Sequence, residues 1–384
     1  MSKDKVLGIY FADSHLDDHN WSQYPEAYGD SIWSFRRICQ RAIEGNANYV
    51  VCAGDFFDKP EPPSVAIKAA REVFDSLQAE KIQFYFIQGQ ATHDRVTPPW
   101  ATAIHSWPIH LCGADTTIGP HRLFGLDWTP AAGLQDALKS VPKDTGVLVM
   151  HQVWKELMGE LRHPEGSWTQ VPHTKFLFTG DYHKTVQNAV AGATQQGMLV
   201  ISPGSTNMRS ITEPAAKYFF WFDGQEWTEE RIPTRPRLKV VWRSEDGEDA
   251  VKTFLEKWPQ LLRGLKRKAK DAGLPRHLTT PLVHITHSPQ LYSFRRRIAD
   301  RLAEQAFLFW KREADQAAGE RPDVSSEERR EMLALGVEHA LGLMMADDDP
   351  RKEPLADLLS AARRGGGKVA LAALRTKMLK LEQL

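Results

Sequence analysis

The sequence predicts an α/β fold in which helices cover a layered sheet. Two observations support this prediction. Short apolar runs with the length and bounding residues of buried strands recur between residues 5 and 232, and amphipathic stretches separate the first three of them. The runs are KVLGIYFA, ANYVVCAG, IQFYFIQG, GVLVMHQ, KFLFTGD, GMLVISPG and KYFFWFDG. Alternation of this kind is typical of a sheet flanked by helices.

The amphipathic stretches are predicted helices. DSIWSFRRICQRAIEG and PSVAIKAAREVFDSLQAEK both repeat apolar residues at helical spacing. A second unit follows the proline- and arginine-rich segment IPTRPRLKVVWRS. It contains the strand LKVVW, a helix from about Glu248 to Ala272, the strand PLVHITHS and the start of a long helix near Leu291. The predicted domains are therefore 1–235, a small α/β unit at 236–310, and a charged helical region at 311–384.

Composition narrows the class of protein. A chain of 384 residues is longer than one hydrophobic core usually supports, so more than one domain is expected. The 49 basic residues balance the 49 acidic ones, so any surface that binds nucleic acid has to be a local patch of positive charge. Cys39, Cys52 and Cys112 lack zinc-site spacing and are expected to be buried thiols in a reducing compartment. No apolar run approaches the roughly 20 residues of a membrane span, and the first residues lack a signal-peptide core. We expect a soluble, cytoplasmic protein with no membrane partner.

Five predicted strands end in residues that commonly bind metal ions. Each pair or triplet alone also fits a solvated loop, a helix cap or a buried histidine, but all five occur in order, each at a strand end. Because active sites of α/β sheets form at the carboxyl ends of strands, the five segments are expected to converge. They are Asp13 and His15 in FADSHL, Asp55 and Asp58 in AGDFFD, Gln90, His93 and Asp94 in GQATHD, His151 in VMHQ, and Asp181 and His183 in TGDYHK.

This mixture of ligands predicts a reaction. Carboxylate, imidazole and amide groups together suit a pair of divalent ions such as Mn²⁺, with Mg²⁺, Fe²⁺ or Zn²⁺ as alternatives. Two such ions, roughly 3.5 to 4 Å apart, hold both oxygens of a phosphoryl displacement and generate hydroxide at neutral pH. The sequence therefore predicts two-metal phosphoester hydrolysis.

The motif series DSH, GDFFD, GQATHD, MH and GDYH resembles the calcineurin-like metallophosphoesterases. Within that superfamily it is most similar to SbcD-type DNA double-strand-break repair nucleases, the bacterial and phage relatives of the meiotic recombination nuclease. The narrower resemblance depends on ISPGSTNMRS, on motif spacing, and on a small α/β unit followed by charged helices. It covers residues 5 to 235 well. It implies a layered metallophosphoesterase β-sandwich flanked by helices, with a small α/β capping domain and a helical C-terminal segment.

The resemblance also implies roles for the motif residues. Asp13, His15 and His183 would bind one ion, Asp55 would bridge both ions, and His151 would bind the second. The chain departs from the family at GDYH, where Asp181 stands in place of a histidine. A carboxylate is a good ligand for hard ions and favours Mn²⁺ or Mg²⁺.

The loop GQATHD is a second departure from the family. Gln90 replaces an asparagine ligand, and Ala91 and Thr92 separate it from His93. Gln90 offers the same amide oxygen and is expected to bind the second ion, with Thr92 as the alternative ligand. His93 would face the substrate phosphate and stabilise charge or protonate the leaving oxygen, with Asp94 orienting its ring.

DNA is the expected macromolecular substrate, as duplex ends and single strands. RGLKRKAK, which includes Lys266, Arg267 and Lys268, and the run RRR at 295–297 are candidate phosphate contacts, although solvated charge runs are common. SPGSTNMRS could present Ser205 and Arg209 to a phosphate, with a plain strand-to-strand turn as the alternative.

Two further partners follow from the resemblance. Residues 355–384 are predicted to form two amphipathic helices around a triple glycine, and in the resembling family such helices dock on an SbcC-like SMC-type ATPase. The alternative is a helix pair packed on its own domain. The resemblance also implies a homodimer.

The leading functional hypothesis is a two-metal DNA exonuclease or endonuclease, the nuclease subunit of an SbcC/SbcD-like complex. The alternatives are a phosphatase or phosphodiesterase for small molecules and a non-catalytic DNA-end-binding subunit.

Overall fold

The computed structural model describes residues 6–17, 19, 21, 23–158, 164–172, 174–190, 197–243 and 245–312. Within these residues the chain forms two six-stranded sheets and one three-stranded sheet, with helices against them. The predicted α/β class is confirmed. The predicted C-terminal helices fall on residues 313–384, which lie outside the described residues.

The first sheet is parallel at its centre. Its order is β12-β11-β1-β2-β3-β4, in which β1 to β4 are parallel and β11 is antiparallel to both neighbours. The strands are β1 (Gly8–Phe11), β2 (Tyr49–Ala53), β3 (Gln83–Ile87), β4 (Ile109–His110), β11 (Lys217–Phe222) and β12 (Trp227–Ile232).

The second sheet has a parallel centre and antiparallel edges. Its order is β5-β6-β7-β8-β10-β9, with antiparallel pairing only at β5 and β9. The strands are β5 (Asp115–Ile118), β6 (His121–Leu126), β7 (Thr145–His151), β8 (Phe176–Gly180), β9 (Val186–Val190) and β10 (Leu199–Ser202).

The two sheets pack face to face because their central strands are apolar on both faces. In β1, Tyr10 points into the layer between the sheets and packs on Phe178 at a ring distance of 5.1 Å. Its neighbours Ile9 and Phe11 point the opposite way, into a core formed with the helices. The helices of this part are α1 (Asp30–Glu44), α2 (Ser64–Ala79), α3 (Trp100–Ile104), α4 (Ala131–Leu138) and α5 (Lys155–Met158).

The small unit is a three-stranded parallel sheet of order β13-β14-β15, with two helices. The predicted helix from about Glu248 is confirmed, but the long helix expected near Leu291 is wrong. A short helix ends at Leu302, and FLFWKR then forms a strand, as its aromatic residues favour. The elements are β13 (Arg237–Trp242), α6 (Glu248–Asp271), β14 (Leu282–His287), α7 (Arg295–Leu302) and β15 (Phe307–Arg312).

The boundary predicted after residue 235 falls between β12 and β13, inside one compact unit of residues 1–313, and it stays a prediction. Cys39 and Cys52 are buried as expected, whereas Cys112 is exposed, so the expectation of three buried thiols is wrong there. Within the described ranges, no helix is both long enough and apolar enough to cross a membrane.

Arg235 ties the small unit to the two-sheet body. Its side chain is fully buried, and its guanidinium donates to both carboxylate oxygens of Asp30, at 2.8 to 3.2 Å. It also donates to the carbonyls of Tyr28, His277 and Thr280. The proline- and arginine-rich segment at the predicted domain boundary therefore contributes Arg235 to a buried ion pair with several hydrogen bonds.

Replacing Arg235 with alanine should destabilise the fold by about 3 to 5 kcal/mol, because it leaves the Asp30 carboxylate buried without its partner. Urea denaturation followed by circular dichroism measures this loss. The matched control is Arg36→Ala, which breaks the exposed ion pair with Glu72 and should change stability by no more than about 1 kcal/mol. Equal effects of the two substitutions would contradict this account of Arg235.

Candidate metal centre

The predicted ligand residues come together at the carboxyl ends of five strands. Asp13, Asp55 and Gln90 follow β1, β2 and β3 of the first sheet, whereas His151 ends β7 and Asp181 follows β8 of the second sheet. The face-to-face packing of the sheets brings these two sets of strand ends together. The expected convergence is therefore observed, and it depends on both sheets.

One group of ligands consists of Asp13, His15 and His183. Each offers a ligand atom within 4.8 Å of the others. The Nε2 atoms of His15 and His183 lie 3.2 Å apart, and His183 Nε2 lies 4.0 Å from Asp13 Oδ1. Two imidazole nitrogens aimed at one point, beside a carboxylate, form a suitable set of ligands for a divalent cation.

A second group is centred on His151, which is completely buried. Its Nδ1 lies 2.8 Å from the carbonyl of Ala53, so Nδ1 carries a proton and Nε2 is the nitrogen left to bind a metal ion. That Nε2 lies 3.3 Å from Asp55 Oδ2 and 3.8 Å from Asp181 Oδ1, and it makes no hydrogen bond. The side-chain amide of Gln90 donates to Asp181 Oδ1 at 3.0 Å. Gln90 and Asp181, the two residues that depart from the family motifs, thus both lie in this group.

Asp55 lies between the two groups. Its Oδ2 is 3.3 Å from His151 Nε2, 3.6 Å from His15 Nε2 and 3.7 Å from His93 Nε2. Its Oδ1 accepts the backbone N–H of Gln90 at 2.9 Å. This position suits a carboxylate that bridges two ions.

Two buried polar atoms of the site make no hydrogen bond, and this indicates that the site fits metal ions. His151 Nε2 and Asp181 Oδ2 are buried and make no hydrogen bond, although buried polar atoms are normally paired. Both face into the cluster of carboxylates and imidazoles, where a cation would satisfy them. The residues fit a pair of divalent ions.

The backbone of the ligand residues is unusual. Asp13, His15, Asp55 and Asp181 all have positive φ, between 43° and 79°. Such angles are uncommon for residues other than glycine and cost about 1 to 2 kcal/mol each. Strained backbone of this kind often occurs at functional sites.

Close backbone approach also requires glycine next to the ligands. A Cβ atom at Gly89 would lie 2.4 Å from the backbone N of Asp55, and one at Gly180 would lie 2.3 Å from the carbonyl oxygen of Ala53. Neither clash can be relieved by moving the end of a flexible side chain. The two glycines therefore let the loops close around the site.

His93 lies at the mouth of the site, where its side chain is 24% exposed. Its Nδ1 lies 2.7 Å from the carbonyl of Asp58. Asp94 does not hold this ring as expected, because its two oxygens accept the backbone N–H groups of Phe56 and Gly89, both at 2.7 Å. Asp94 therefore anchors the loop, and the backbone of Asp58 orients His93.

The electrostatics show an excess of buried negative charge. Burial raises the pKa of Asp13 to about 6 and lowers the pKa of His15 to about 3. Burial also disfavours charge on His151, but the surrounding carboxylates, led by Asp55, outweigh it and raise the pKa of His151 well above its ordinary value. Burial, helped by Asp55, raises the pKa of Asp94 to about 8. Divalent cations would neutralise this cluster.

The segment after the last motif faces inward. Ser205 is completely buried and donates to the carbonyl of Asn207, so the expected contact of its hydroxyl with DNA is wrong. The guanidinium of Arg209 pairs with Asp58 Oδ1, which lies beside His15. The other predicted DNA contacts, Lys266, Arg267 and Lys268, are exposed on α6.

Sequence reasoning missed two charged residues at this site. Glu213 Oε1 lies 3.1 Å from His183 Nδ1, and Lys217 Nζ lies 2.8 Å from Glu213 Oε2. Although burial alone would raise it, the pKa of Glu213 is lowered to about 2 by His183 and Lys217. No local signal marks them, because a solvated glutamate and lysine four residues apart would look the same in the sequence.

Several known proteins are similar in sequence to this chain. No family model matches the chain. The DNA double-strand break repair protein Mre11 of Archaeoglobus fulgidus is 33% identical over 88 residues, which cover 23% of this chain and 19% of that protein. The protein of the same name from Methanosarcina acetivorans is 24% identical over 283 residues, which cover 66% of this chain and 44% of that protein. The chain is similar in sequence to Mre11 proteins.

This similarity to Mre11 confirms the predicted resemblance to the DNA double-strand-break repair nucleases. The chain spans less than half the length of the Mre11 relatives it matches. Among solved structures, a dimetal phosphatase from Danio rerio superposes with a TM-score of 0.38 at 10% identity, over 60% of this chain and 97% of that chain. An overlap this partial carries no argument about function.

Replacing Asp55 with asparagine should weaken the binding of both ions by more than about 100-fold, because it removes a shared charged ligand. Asparagine tolerates positive φ, and its oxygen still accepts from Gln90, so the fold should survive. Isothermal titration with Mn²⁺ measures binding. Asp75→Asn, at an exposed carboxylate outside the centre, is the charge-matched control. Unchanged stoichiometry and affinity in the Asp55 variant would rule out the shared ligand.

Proposed function

We propose that this chain is a two-metal-dependent nuclease that hydrolyses phosphodiester bonds at DNA ends. One observation carries the proposal: two sets of ligands share Asp55, and a partly exposed histidine, His93, lies at their mouth. The similarity to Mre11 proteins supports DNA as the substrate, because the relatives are named for DNA double-strand break repair.

The residues have separate tasks in this proposal. Asp13, His15, Asp55 and His183 hold one ion, and a second set holds the other. When bound, the two ions supply hydroxide at neutral pH and neutralise the phosphate that is attacked. The second set consists of Asp55, Gln90, His151 and Asp181.

His93 contacts the substrate in this proposal. Its Nδ1–H donates to the carbonyl of Asp58, which leaves Nε2 facing the site. In the protonated form, Nε2 can donate to a phosphate oxygen or to the leaving oxygen. Its 24% exposure contrasts with the 1% exposure of the His15 side chain and fits a group at the entrance for substrate.

Manganese is the proposed metal, with Mg²⁺ as the alternative. Asp181 and Gln90 add oxygen donors to the second set, and oxygen donors suit Mn²⁺ and Mg²⁺ better than softer ions. The three imidazoles of the two sets favour Mn²⁺ over Mg²⁺, because Mg²⁺ is rarely bound by several histidines.

A basic groove supports DNA binding beside this centre. Its lining includes five cationic side chains: Arg237, Lys257, Arg263, Arg267 and Lys268. Arg237 donates to the carbonyls of Ile211 and Glu213, in the segment that contacts His183. Through Arg237 the groove reaches the segment that carries Glu213, and its cationic side chains could contact DNA phosphates, with Lys266 exposed on the same helix.

An ATPase partner and a homodimer complete the proposal. The resemblance to SbcD-type nucleases implies an SMC-type ATPase that docks on the amphipathic helices of residues 355–384, which lie outside the described residues.

The test is cleavage of end-labelled duplex and single-stranded DNA by the full chain with Mn²⁺, with and without the candidate ATPase. We expect Mn²⁺-dependent cleavage that the ATPase stimulates on duplex ends. Asp55→Asn protein is the inactive control. Hydrolysis of a small phosphodiester without cleavage of DNA would instead identify a small-molecule phosphodiesterase, and intact metal binding with no hydrolysis would identify a non-catalytic subunit.

His93→Ala should bind both ions and DNA normally and lose about 100-fold or more in cleavage rate, because it removes a positioned proton donor. Gln90→Ala should weaken metal binding, and excess Mn²⁺ should partly restore its activity by mass action. Cleavage rates over a range of Mn²⁺ concentrations separate the two variants. If His93→Ala loses an ion and Gln90→Ala has no effect, the two roles are exchanged.

A further inference from the structure

Glu213 lies behind His183, on the side away from the metal centre. Its Oε1 is 3.1 Å from His183 Nδ1. Its Oε2 accepts from Lys217 Nζ at 2.8 Å and from the backbone N–H of Arg209 at 3.1 Å. Both oxygens of this carboxylate are therefore bonded, and only one of them contacts an imidazole.

The bond to Glu213 determines which nitrogen of His183 is free. A neutral imidazole carries one proton, and a carboxylate beside Nδ1 holds that proton there. The lone pair is then on Nε2, the atom that lies 3.2 Å from His15 Nε2 and points into the centre. Carboxylates behind metal-binding histidines act in this way, and their loss weakens metal binding by about 10- to 100-fold.

A buried lysine holds the carboxylate in place. The side chain of Lys217 is 1% exposed, and its Nζ contacts Glu213, the hydroxyl of Ser205 at 2.7 Å and the carbonyl of His183 at 3.4 Å. A lysine is rarely buried unless it is paired. The pair joins the start of β11 to the loop that carries His183.

The other two candidate metal-binding histidines have different groups beside their Nδ1 atoms. His151 Nδ1 bonds to the carbonyl of Ala53, and His15 Nδ1 lies 3.3 Å from Asp58 Oδ1, which Arg209 also contacts. Glu213 is thus specific to His183.

We propose that Glu213 is the positioning residue of the first metal site, which fixes the tautomer and direction of His183 while Lys217 and the backbone of Arg209 hold its carboxylate. This inference rests on the proposed two-metal centre. It gives SPGSTNMRS and the residues after it a role in binding metal, in place of the expected role in binding phosphate.

The test compares Mn²⁺ binding by the full chain and three variants, using isothermal titration and electron paramagnetic resonance. In Glu213→Met with Lys217→Met, apolar groups replace the whole pair, a change that is often neutral for stability. It should bind one ion like the wild type and the other about 10- to 100-fold more weakly. Glu213→Gln still offers His183 an acceptor and should recover most of that affinity.

The matched control is Glu230→Met with Arg41→Met, which removes an ion pair between α1 and β12 of the first sheet, whose atoms lie 2.6 Å apart. It should leave both ions unaffected. Nitrogen-15 spectra of the histidine rings, recorded without metal, provide a second measurement. The His183 ring should be protonated at Nδ1 in the wild type and in Glu213→Gln, and should become a mixture of tautomers in the double-methionine variant.

Wild-type affinity for both ions and an unchanged His183 tautomer in the double-methionine variant would overturn the role of Glu213 and leave the metal centre intact. A wild-type chain that binds no ions would overturn the proposed function itself, and this inference with it.

Discussion

The centre depends on one electrostatic constraint: three carboxylates and three imidazoles, most of them buried, lie against one another with too little positive charge among them. Asp13 and Asp55 are almost inaccessible, and His151 is completely buried. Burying charge without compensation is strongly unfavourable. Cations at the centre would remove this cost, and the surrounding loops hold the ligand atoms in position for them.

The two-sheet architecture follows from the same constraint. The strand ends of a single parallel sheet offer ligands along one line only. Two sets of metal ligands that share Asp55 need side chains on both sides of Asp55, and the two sheets supply them. The layer between the sheets is filled by large apolar and aromatic residues such as Tyr10, Phe178 and Phe220. This packing fixes the distance between the strand ends of the two sheets, and so fixes the distance between Asp55 and His151.

The position of the candidate ligands at strand ends could be predicted from the sequence because it is a local property. Each follows an apolar run directly, so the end of a strand and its polar residue are visible together. The apolar pattern alone does not show which strand belongs to which sheet, because ANYVVCAG and KFLFTGD are equally apolar and both are buried on two faces. The edge strands β5 and β9 were also missed, because DTTI and VQNAV are short and each is interrupted by two or more polar residues.

Polar pairs between residues that are far apart in the sequence could not be predicted from local sequence patterns. Arg235 and Asp30 are 205 residues apart, and His183 and Glu213 are 30 residues apart. Nothing in the residues next to Arg235 or Glu213 distinguishes a buried, paired charge from a solvated one. For the same reason the sequence did not show that the positive charge of Arg209 is paired with Asp58, and its contact with DNA stays a prediction.

The positive φ angles of Asp13, His15, Asp55 and Asp181 set metal binding against stability. Glycine adopts such angles without strain, so a glycine at any of these positions would relax the backbone as well as remove a buried charge or ring. A glycine at one of these positions is therefore expected to give a chain that binds metal more weakly on a less strained backbone, the exchange of function for stability that is typical of strained sites. The four residues keep the strained backbone together with the ligand atoms.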